Sequence, residues 1–176
     1  MVSGLETYER RIREFFAKPP FNMRFDSEQI VLFRTALTHS SFVEEYNVNH
    51  ENKIQSYERL EFLGDAVLEF IVCDEAYNIP SLKDEGQMTN NFKQAAVANA
   101  RICEYLDFNK IDYEGIALLG KSFRSEKGDR FSDDMRSDIF EAIIAATYLA
   151  FGMDRAKRLV QDIILLPLME KFDFSQ

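Results

Sequence analysis

Residues 57–68 read YERLEFLGDAVL and place three carboxylates on one face of a predicted helix. Glu58, Glu61 and Asp65 lie at i, i+3 and i+7, so they stack along about two helical turns. Like charges at this spacing repel each other, and stability alone does not explain the pattern. Asp and Glu oxygens are ligands that magnesium takes from proteins, and a cation between them would offset the repulsion. The run therefore predicts a metal-binding helix.

Residues 137–149, SDIFEAIIAATYL, predict a second acidic helix. Asp138 and Glu141 lie at i and i+3 on a helix whose other faces are almost wholly apolar. Two such helices can place four carboxylates around one or two metal ions. From the residues alone, the alternative is that these acids lie on solvated helix faces and pair with Lys or Arg.

Three motifs together resemble the ribonuclease III family. The run at 57–68 resembles the signature stretch of its endonuclease domain, and the run from Asp138 to Glu141 resembles its second acidic motif. ALTHSSF at 36–42 resembles a motif upstream of both. The three occur in the family order and together cover about residues 25–165. The resemblance implies an all-α, ribonuclease III-like helical bundle that forms a homodimer.

The same resemblance implies a magnesium-dependent endoribonuclease that cleaves double-stranded RNA, with manganese as a substitute ion and no small-molecule cofactor. Each subunit would cut one strand and leave a 5′-phosphate, a 3′-hydroxyl and a short 3′ overhang. The catalytic and metal-binding residues would be Glu61, Asp65, Asp138 and Glu141. The alternative is a catalytically weak RNA-binding or dimerisation module with the same fold.

Two further acids resemble family positions. Glu58 opens the signature and would lie beside the metal ligands or contact the edge of the RNA. Glu85 resembles another family acid, but the sequence after it departs from the pattern, which has an Arg in a run like RAxLV. In NFKQAAV at 91–97, either Phe92 replaces this Arg or a one-residue insertion lets Lys93 stand in for it.

We expect structural roles for two further residues, Gly64 and His39. A glycine inside a helix costs about 1 kcal/mol relative to alanine. We therefore expect Gly64 to allow another helix or chain to approach closely, with a merely tolerated glycine as the alternative. His39 is expected to form structural hydrogen bonds and not to act as a catalytic base.

The composition predicts one globular domain of 176 residues, with an N-terminal helix and loop at 1–24 and a core at 25–172. No run approaches the roughly 20 apolar residues that a membrane span needs, and the N-terminus lacks the apolar segment of a signal peptide. A cytoplasmic protein without membrane contact is therefore expected. Cys73 and Cys103 lie in apolar helical patterns, which predicts buried free thiols.

Helical periodicity dominates the chain, and no alternating strand pattern is present. A polar, Asn-rich loop is predicted at 43–55. Helices are predicted at about 4–17, 28–38, 57–77, 84–106, 111–118, 133–151 and 154–172.

The net charge of −9 opposes long-range attraction to RNA. Part of the acidic excess belongs to the predicted metal site, and three basic clusters could compensate for the rest. Two of them lie at 10–13 and 155–158, and the third leads directly into the helix of Asp138. The alternative for each cluster is a solvated surface. The third is the preferred RNA contact and comprises Lys121, Arg124, Lys127 and Arg130.

Bacterial members of the family usually carry a double-stranded-RNA-binding domain after the catalytic domain. The few residues that follow Phe172 could not supply it, so the chain is either a natural short form or part of a longer protein. In either case its affinity for RNA is expected to come from the catalytic domain, a partner or a high local concentration.

Overall fold

The computed structural model describes residues 4–125 and 128–171 and confirms the all-α prediction. Two short π-helical segments, Met88–Lys93 and Gln161–Leu165, lie between consecutive α-helices. A single 3-10 turn at Lys121–Phe123 precedes a small hairpin of β1 (Arg124–Ser125) and β2 (Gly128–Asp129). The α-helices are α1 (Gly4–Phe16), α2 (Gln29–Ala36), α3 (Ser40–Asn49), α4 (Glu58–Asn78), α5 (Glu85–Gln87), α6 (Gln94–Val97), α7 (Asn99–Phe108), α8 (Asp133–Phe151), α9 (Met153–Val160) and α10 (Leu166–Lys171).

Helix α8 forms the centre of the bundle, because α2, α4, α7 and α9 all pack against it. All of its residues from 139 to 147 are buried, so the helix has no solvent-exposed face along that stretch. Its most extensive contact is with α4. The two acidic helices of the sequence are therefore direct neighbours.

Gly64 is the point at which α4 and α8 meet. A Cβ atom built on Gly64 would lie 1.8 Å from the carbonyl oxygen of Glu141, which is far inside any real contact distance. No residue with a side chain fits there unless the helices move apart. The structure thus bears out the expectation that this glycine permits a close approach, and the approaching element is α8.

Two segments differ from their predicted conformation, namely the predicted loop at 43–55 and the predicted helix at 111–118. Most of the predicted loop at 43–55 is the second half of α3, whose N-terminus is capped by the His39 ring and whose end is closed by paired hydrogen bonds between Asn47 and Ile54. The predicted helix at 111–118 is a series of turns, because the Leu118 amide donates to the Leu37 carbonyl at 2.7 Å and the Leu118 carbonyl accepts from the His39 amide at 3.0 Å. These backbone contacts join segments far apart in the chain, so the local sequence does not reveal them.

The predicted helix at 84–106 is also divided. Ala98 has an extended backbone, with ψ of 134°, which separates α6 from α7. The small hairpin pairs Arg124 with Asp129 and Ser125 with Gly128, and strands of two residues are too short to show an alternating pattern in the sequence.

The outward face of α4 carries an apolar row that we call the α4 stripe. Phe62, Phe70 and Tyr77 are 83%, 60% and 77% exposed, and Ala66 and Cys73 lie between them. The prediction that Cys73 is buried was therefore wrong, because this position faces outward. The other apolar residues of the helix point inward: Leu60, Val67, Leu68 and Ile71 are buried and Leu63 packs against the core.

Helix α1 belongs to the same core, since Ile12 and Phe16 are completely buried with the residues of the later helices. The division into one domain, with residues 1–24 preceding a core at 25–172, stays a prediction. Cys103 is buried as predicted, and its thiol donates to the Asp133 carbonyl at 3.3 Å. Among the described helices, none combines the length and the apolar character that crossing a membrane requires.

We predict that Gly64→Ala lowers the free energy of unfolding by about 3 kcal/mol or more, because the new methyl group forces α4 away from α8. Urea unfolding followed by circular dichroism measures the change. Gly4→Ala is the matched control, since a Cβ there meets nothing within 4 Å and should change stability by less than about 0.5 kcal/mol. Equal effects of the two substitutions would contradict the close-approach argument.

Candidate metal centre

Three carboxylates from the two central helices converge. Glu61 of α4 and Asp138 and Glu141 of α8 each bring one oxygen to within 4.8 Å of the others. Glu141 is only 8% exposed, whereas Glu61 and Asp138 are partly accessible. Gly64 lies one turn after Glu61, so the close approach of the helices is what brings these acids together.

Burial and mutual repulsion raise the pKa values of these acids. The pKa of Glu141 is raised to about 8 by its burial first, and then by the charges of Asp65, Asp138, Glu61 and Glu69. Burial is also the largest cause of the raised pKa values of Glu61 and Asp138. Because burial and mutual repulsion disfavour the charged form of all three acids, a cation between them would be strongly favoured.

The donor set fits magnesium. An octahedral Mg²⁺ ion has ligand oxygens about 3–4 Å apart, which small side-chain rotations reach from the observed separation of at most 4.8 Å. All three donors are carboxylates, the hard oxygen ligands that Mg²⁺ and Mn²⁺ accept. Glu61, Asp138 and Glu141 are therefore the residues that would hold the ion.

Asp65, the fourth predicted ligand, lies outside this group of three. It is exposed on α4, and its charge nevertheless contributes to the raised pKa of Glu141. The pKa of Asp65 is itself raised by partial burial and by Glu69, and lowered by the ammonium group of Lys93. Asp65 thus lies between the carboxylate cluster and a basic neighbour.

Lys93 contributes a positive charge beside Asp65. Its Nζ atom lies 2.8 Å from Oε1 of Glu69, and Phe92 beside it is completely buried in the core. A π-helical segment contains one more residue than an α-helix of the same rise, and such a segment ends at Lys93. Both alternatives for the missing Arg stay predictions: replacement by the buried Phe92, or a one-residue insertion with Lys93 standing in for it.

The two secondary acids are not part of the group of three. Glu58 is exposed at the first position of α4, and its charge contributes to the raised pKa of Glu61. Glu85 is exposed at the first position of α5, where the neighbouring Asp84 side chain caps the helix by accepting from the Gln87 amide at 2.8 Å.

Tyr57 is a residue of the site that spacing arguments missed. Its ring is buried, and burial first and then the nearby charges of Asp138, Glu61 and Glu58 raise the pKa of its hydroxyl. The His39 ring contacts it edge-on, with centroids 5.6 Å apart. As expected, His39 is structural: its Nδ1 accepts from the Ser41 amide at 3.1 Å, and burial lowers its pKa.

The third basic cluster flanks Phe123, whose ring lies 5.0 Å from the His39 ring between centroids. Lys121, Arg124 and Arg130 are exposed, and Lys127 lies outside the described residues. The Lys121 amide donates to Glu45 at 2.7 Å, which ties the segment to α3.

In each of the other two basic clusters, one arginine forms hydrogen bonds to backbone carbonyls. Arg13 donates to the carbonyls of Phe25 and Asp26, and Arg155 donates to the carbonyls of Phe21 and Asn22.

We expect Glu141→Gln to stabilise the metal-free protein at about pH 8 by at least about 1 kcal/mol and to change little at about pH 5. The folded state holds the Glu141 proton up to about pH 8, so this group's stability contribution is present below its unfolded pKa of 4.5 and disappears as pH rises through 8. Unfolding in EDTA at both pH values measures it. Glu170→Gln, an exposed acid on α10, is the control; identical pH profiles for the two variants would refute the expectation.

Comparison with known sequences gives close relatives. The chain is 35% identical over 158 residues to a protein named Ribonuclease 3 from Staphylococcus aureus, covering 88% of this chain and 60% of the relative. It is 35% identical over 140 residues to Ribonuclease 3 from Listeria innocua, covering 80% of this chain and 58% of the relative. The chain thus spans about three fifths of the length of these curated relatives.

Comparison with solved structures gives the nuclease domain of ribonuclease III from Campylobacter jejuni. One structure matches with a TM-score of 0.61 at 27% identity and covers 96% of this chain and 97% of that chain. A second, at 2.2 Å resolution, matches with a TM-score of 0.60. A sequence model of the family described as Ribonuclease-III-like matches residues 29–168. The chain therefore belongs to the ribonuclease-III-like family.

Proposed function

We propose that this protein is a magnesium-dependent endoribonuclease that hydrolyses phosphodiester bonds in double-stranded RNA. The products would be a 5′-phosphate and a 3′-hydroxyl, with a short 3′ overhang. The observation that carries the proposal is the meeting of Glu61, Asp138 and Glu141 within 4.8 Å on two adjoining helices. Free thiols such as Cys73 and Cys103 suit the reducing cytoplasm, which is the proposed compartment.

A bound magnesium ion would supply the acidity that ionises a water molecule and the positive charge that stabilises the leaving 3′-oxygen. The side chains of the protein would hold the ion and orient the attacking water. Glu61, Asp138 and Glu141 would hold the ion, and the buried Glu141 carboxyl, whose pKa is raised to about 8, would have to lose its proton to do so. For Asp65, whose charge contributes to the raised pKa of Glu141, we propose the role of accepting a hydrogen bond from the attacking water.

The assembled carboxylates also decide between the two candidate functions. A module that only binds RNA or dimerises gains nothing from three acids at such short mutual distances, since they repel each other and the RNA phosphates. Hydrolysis requires them because they retain the cation. We therefore favour the enzyme.

We further propose that the enzyme is a homodimer formed through the α4 stripe. Phe62, Phe70 and Tyr77 expose large apolar surface on one helix face, and such patches mark interfaces. The Campylobacter jejuni structure is described as having a region involved in dimer formation. A two-fold axis would bring the stripe of one copy against that of the other, and each copy would cut one strand.

Wild-type protein should cleave long duplex RNA with Mg²⁺ or Mn²⁺ and not with EDTA. Glu141→Gln should lower the cleavage rate by at least about 100-fold, because the ion loses its buried charged ligand. Duplex binding and the helical circular dichroism signal should be retained. Gel analysis of labelled duplex measures cleavage. Calcium should support binding with little cutting, since its looser coordination positions water poorly. A metal-independent wild-type activity or a fully active variant would overturn the proposal.

For the dimer, Phe62→Glu should yield a folded monomer with lost activity, because it places a charge at the most exposed apolar ring of the proposed contact. Sedimentation velocity at tens of micromolar measures the state. Leu63→Glu is unsuitable, since Leu63 packs against the core of its own subunit. Phe108→Glu on α7 is the control: this ring is 65% exposed but lies off the stripe, so the variant should remain a dimer. A monomeric wild type would contradict this prediction.

For RNA contact, we propose the exposed residues Lys121, Arg124 and Arg130, with Lys127 from the sequence prediction. Replacing all four with Ala should weaken binding to duplexes of any sequence alike and flatten the dependence of affinity on salt, because fewer counterions are released. Wild-type affinity should be on the order of micromolar or weaker at physiological salt. Fluorescence anisotropy across a salt series measures both. Arg13→Ala is the control, since that side chain is committed to backbone carbonyls; an unchanged salt slope in the quadruple variant would identify these residues as solvated surface.

A further inference from the structure

The segment that leads into the third basic cluster runs along the start of α3. The Leu118 amide donates to the Leu37 carbonyl at 2.7 Å, and the Leu118 carbonyl accepts from the His39 amide at 3.0 Å. Two residues later, the Gly120 amide donates to the Ser41 hydroxyl at 2.9 Å. These contacts join residues far apart in the chain, so tertiary structure determines the course of the segment.

Glu45 holds the first residue of the third basic cluster. Its Oε1 atom accepts from the Lys121 amide at 2.7 Å. Ser41 and Glu45 lie at i and i+4 on α3, so their side chains are neighbours on one helix face and bind consecutive backbone amides of the segment. The bond to Glu45 has an ionised acceptor, and such bonds are roughly twice as strong as neutral ones.

Gly120 is needed at this contact for space and not for its backbone conformation. Its φ of −66° and ψ of 164° are open to any residue. A Cβ atom at this position would lie 2.9 Å from the Ser41 carbonyl oxygen and 2.9 Å from Oε1 of Glu45, which is closer than real Cβ contacts. The segment therefore lies directly against α3.

A short series of backbone hydrogen bonds links this contact to the other cations. The Phe123 amide donates to the Gly120 carbonyl at 3.0 Å, and the Arg130 amide donates to the Phe123 carbonyl at 2.8 Å. Arg124 follows Phe123 directly in β1. The side chains of Lys121, Arg124 and Arg130 are exposed while the backbone is held, so the contact with α3 determines where these three positive charges lie.

We propose that Glu45 and Ser41 are positioning residues, which hold these three cations in the place from which they contact duplex RNA. The inference rests on the proposed function. Glu45 then has two opposite effects on RNA, because its charge repels phosphates while its hydrogen bond supports the cations. The support is the larger effect: each lost phosphate contact lowers affinity roughly fivefold to tenfold at about 0.1 M salt, whereas the repulsion of one exposed charge is screened.

The test measures duplex RNA affinity by fluorescence anisotropy across a salt series, with Ca²⁺ present to prevent cutting. Glu45→Ala removes the acceptor as well as the charge, so binding should weaken by about fivefold or more at about 0.1 M salt, and the salt slope should fall by about 1. Glu45→Gln removes only the charge, because its amide oxygen still accepts from the Lys121 amide, and it should bind as tightly as the wild type or more tightly.

Glu44→Ala is the matched control, since it removes an exposed acid from the neighbouring position of the same helix. The Lys121 amide donates to Glu45, so the loss of Glu44 should leave duplex affinity unchanged or raise it slightly. If Glu45 acted only through its charge, Glu45→Ala would behave like this control.

Gly120→Ala tests the same contact from the other side. Its methyl group would displace the segment from α3 without changing any charge, so the variant should reproduce the loss of affinity in Glu45→Ala. In both variants, KM for duplex cleavage with Mg²⁺ should rise while kcat changes little, because the carboxylates of the metal centre are untouched. A general folding defect would lower kcat as well.

The outcomes separate this role from the proposed function. Wild-type protein that fails to bind duplex RNA, or a combined Lys121→Ala, Arg124→Ala and Arg130→Ala variant that binds like the wild type, would refute the proposed RNA contact itself. A weakened triple variant together with undiminished affinity in Glu45→Ala, no recovery in Glu45→Gln, or an equal loss in Glu44→Ala would overturn the positioning role and leave the RNA contact standing.

Discussion

The contact between Gly64 and the Glu141 carbonyl is the constraint on which the site depends. Without a side chain at this position, α4 approaches α8 closely enough for acids of both helices to meet. The cost of a glycine in a helix interior is about 1 kcal/mol, which is small beside the core that the two helices bury together. The same contact brings Glu141 into a largely dry position. Fold and chemistry are therefore joined at one residue.

The acidic cluster opposes the stability of the fold that builds it. Burial and mutual repulsion raise the pKa values of Glu61, Asp138 and Glu141 together, so the metal-free site is a local strain on the bundle. The surrounding structure offsets part of this strain, since the Lys93 ammonium pairs with Glu69 at 2.8 Å and acts to lower the pKa of Asp65. A bound cation would complete the neutralisation.

Sequence reasoning succeeded where the deciding interactions are local and periodic. The long helices α4 and α8 were predicted within a few residues, because apolar positions recur at helical spacing, and the spacing of their acids indicated a shared face. It failed at 111–118, where backbone contacts with residues 37 and 39 decide the conformation, and at α3, where a polar, Asn-rich run that indicated a loop forms a helix closed by local hydrogen bonds. It missed Tyr57 as a residue beside the acids, because nothing near this residue in the chain indicates that it lies close to Asp138 on α8. Cys73 was misassigned because apolar periodicity does not distinguish a core face from an exposed stripe.

The π-helical segment at Met88–Lys93 has a consequence for reading relatives of this chain. One extra residue within a helical run rotates everything after it by about 100° relative to what precedes it. The extra residue therefore changes which side chain faces α4. A relative whose chain forms an unbroken α-helix here aligns with this one only across a one-residue gap, and the buried ring of Phe92 is the feature by which to set the register.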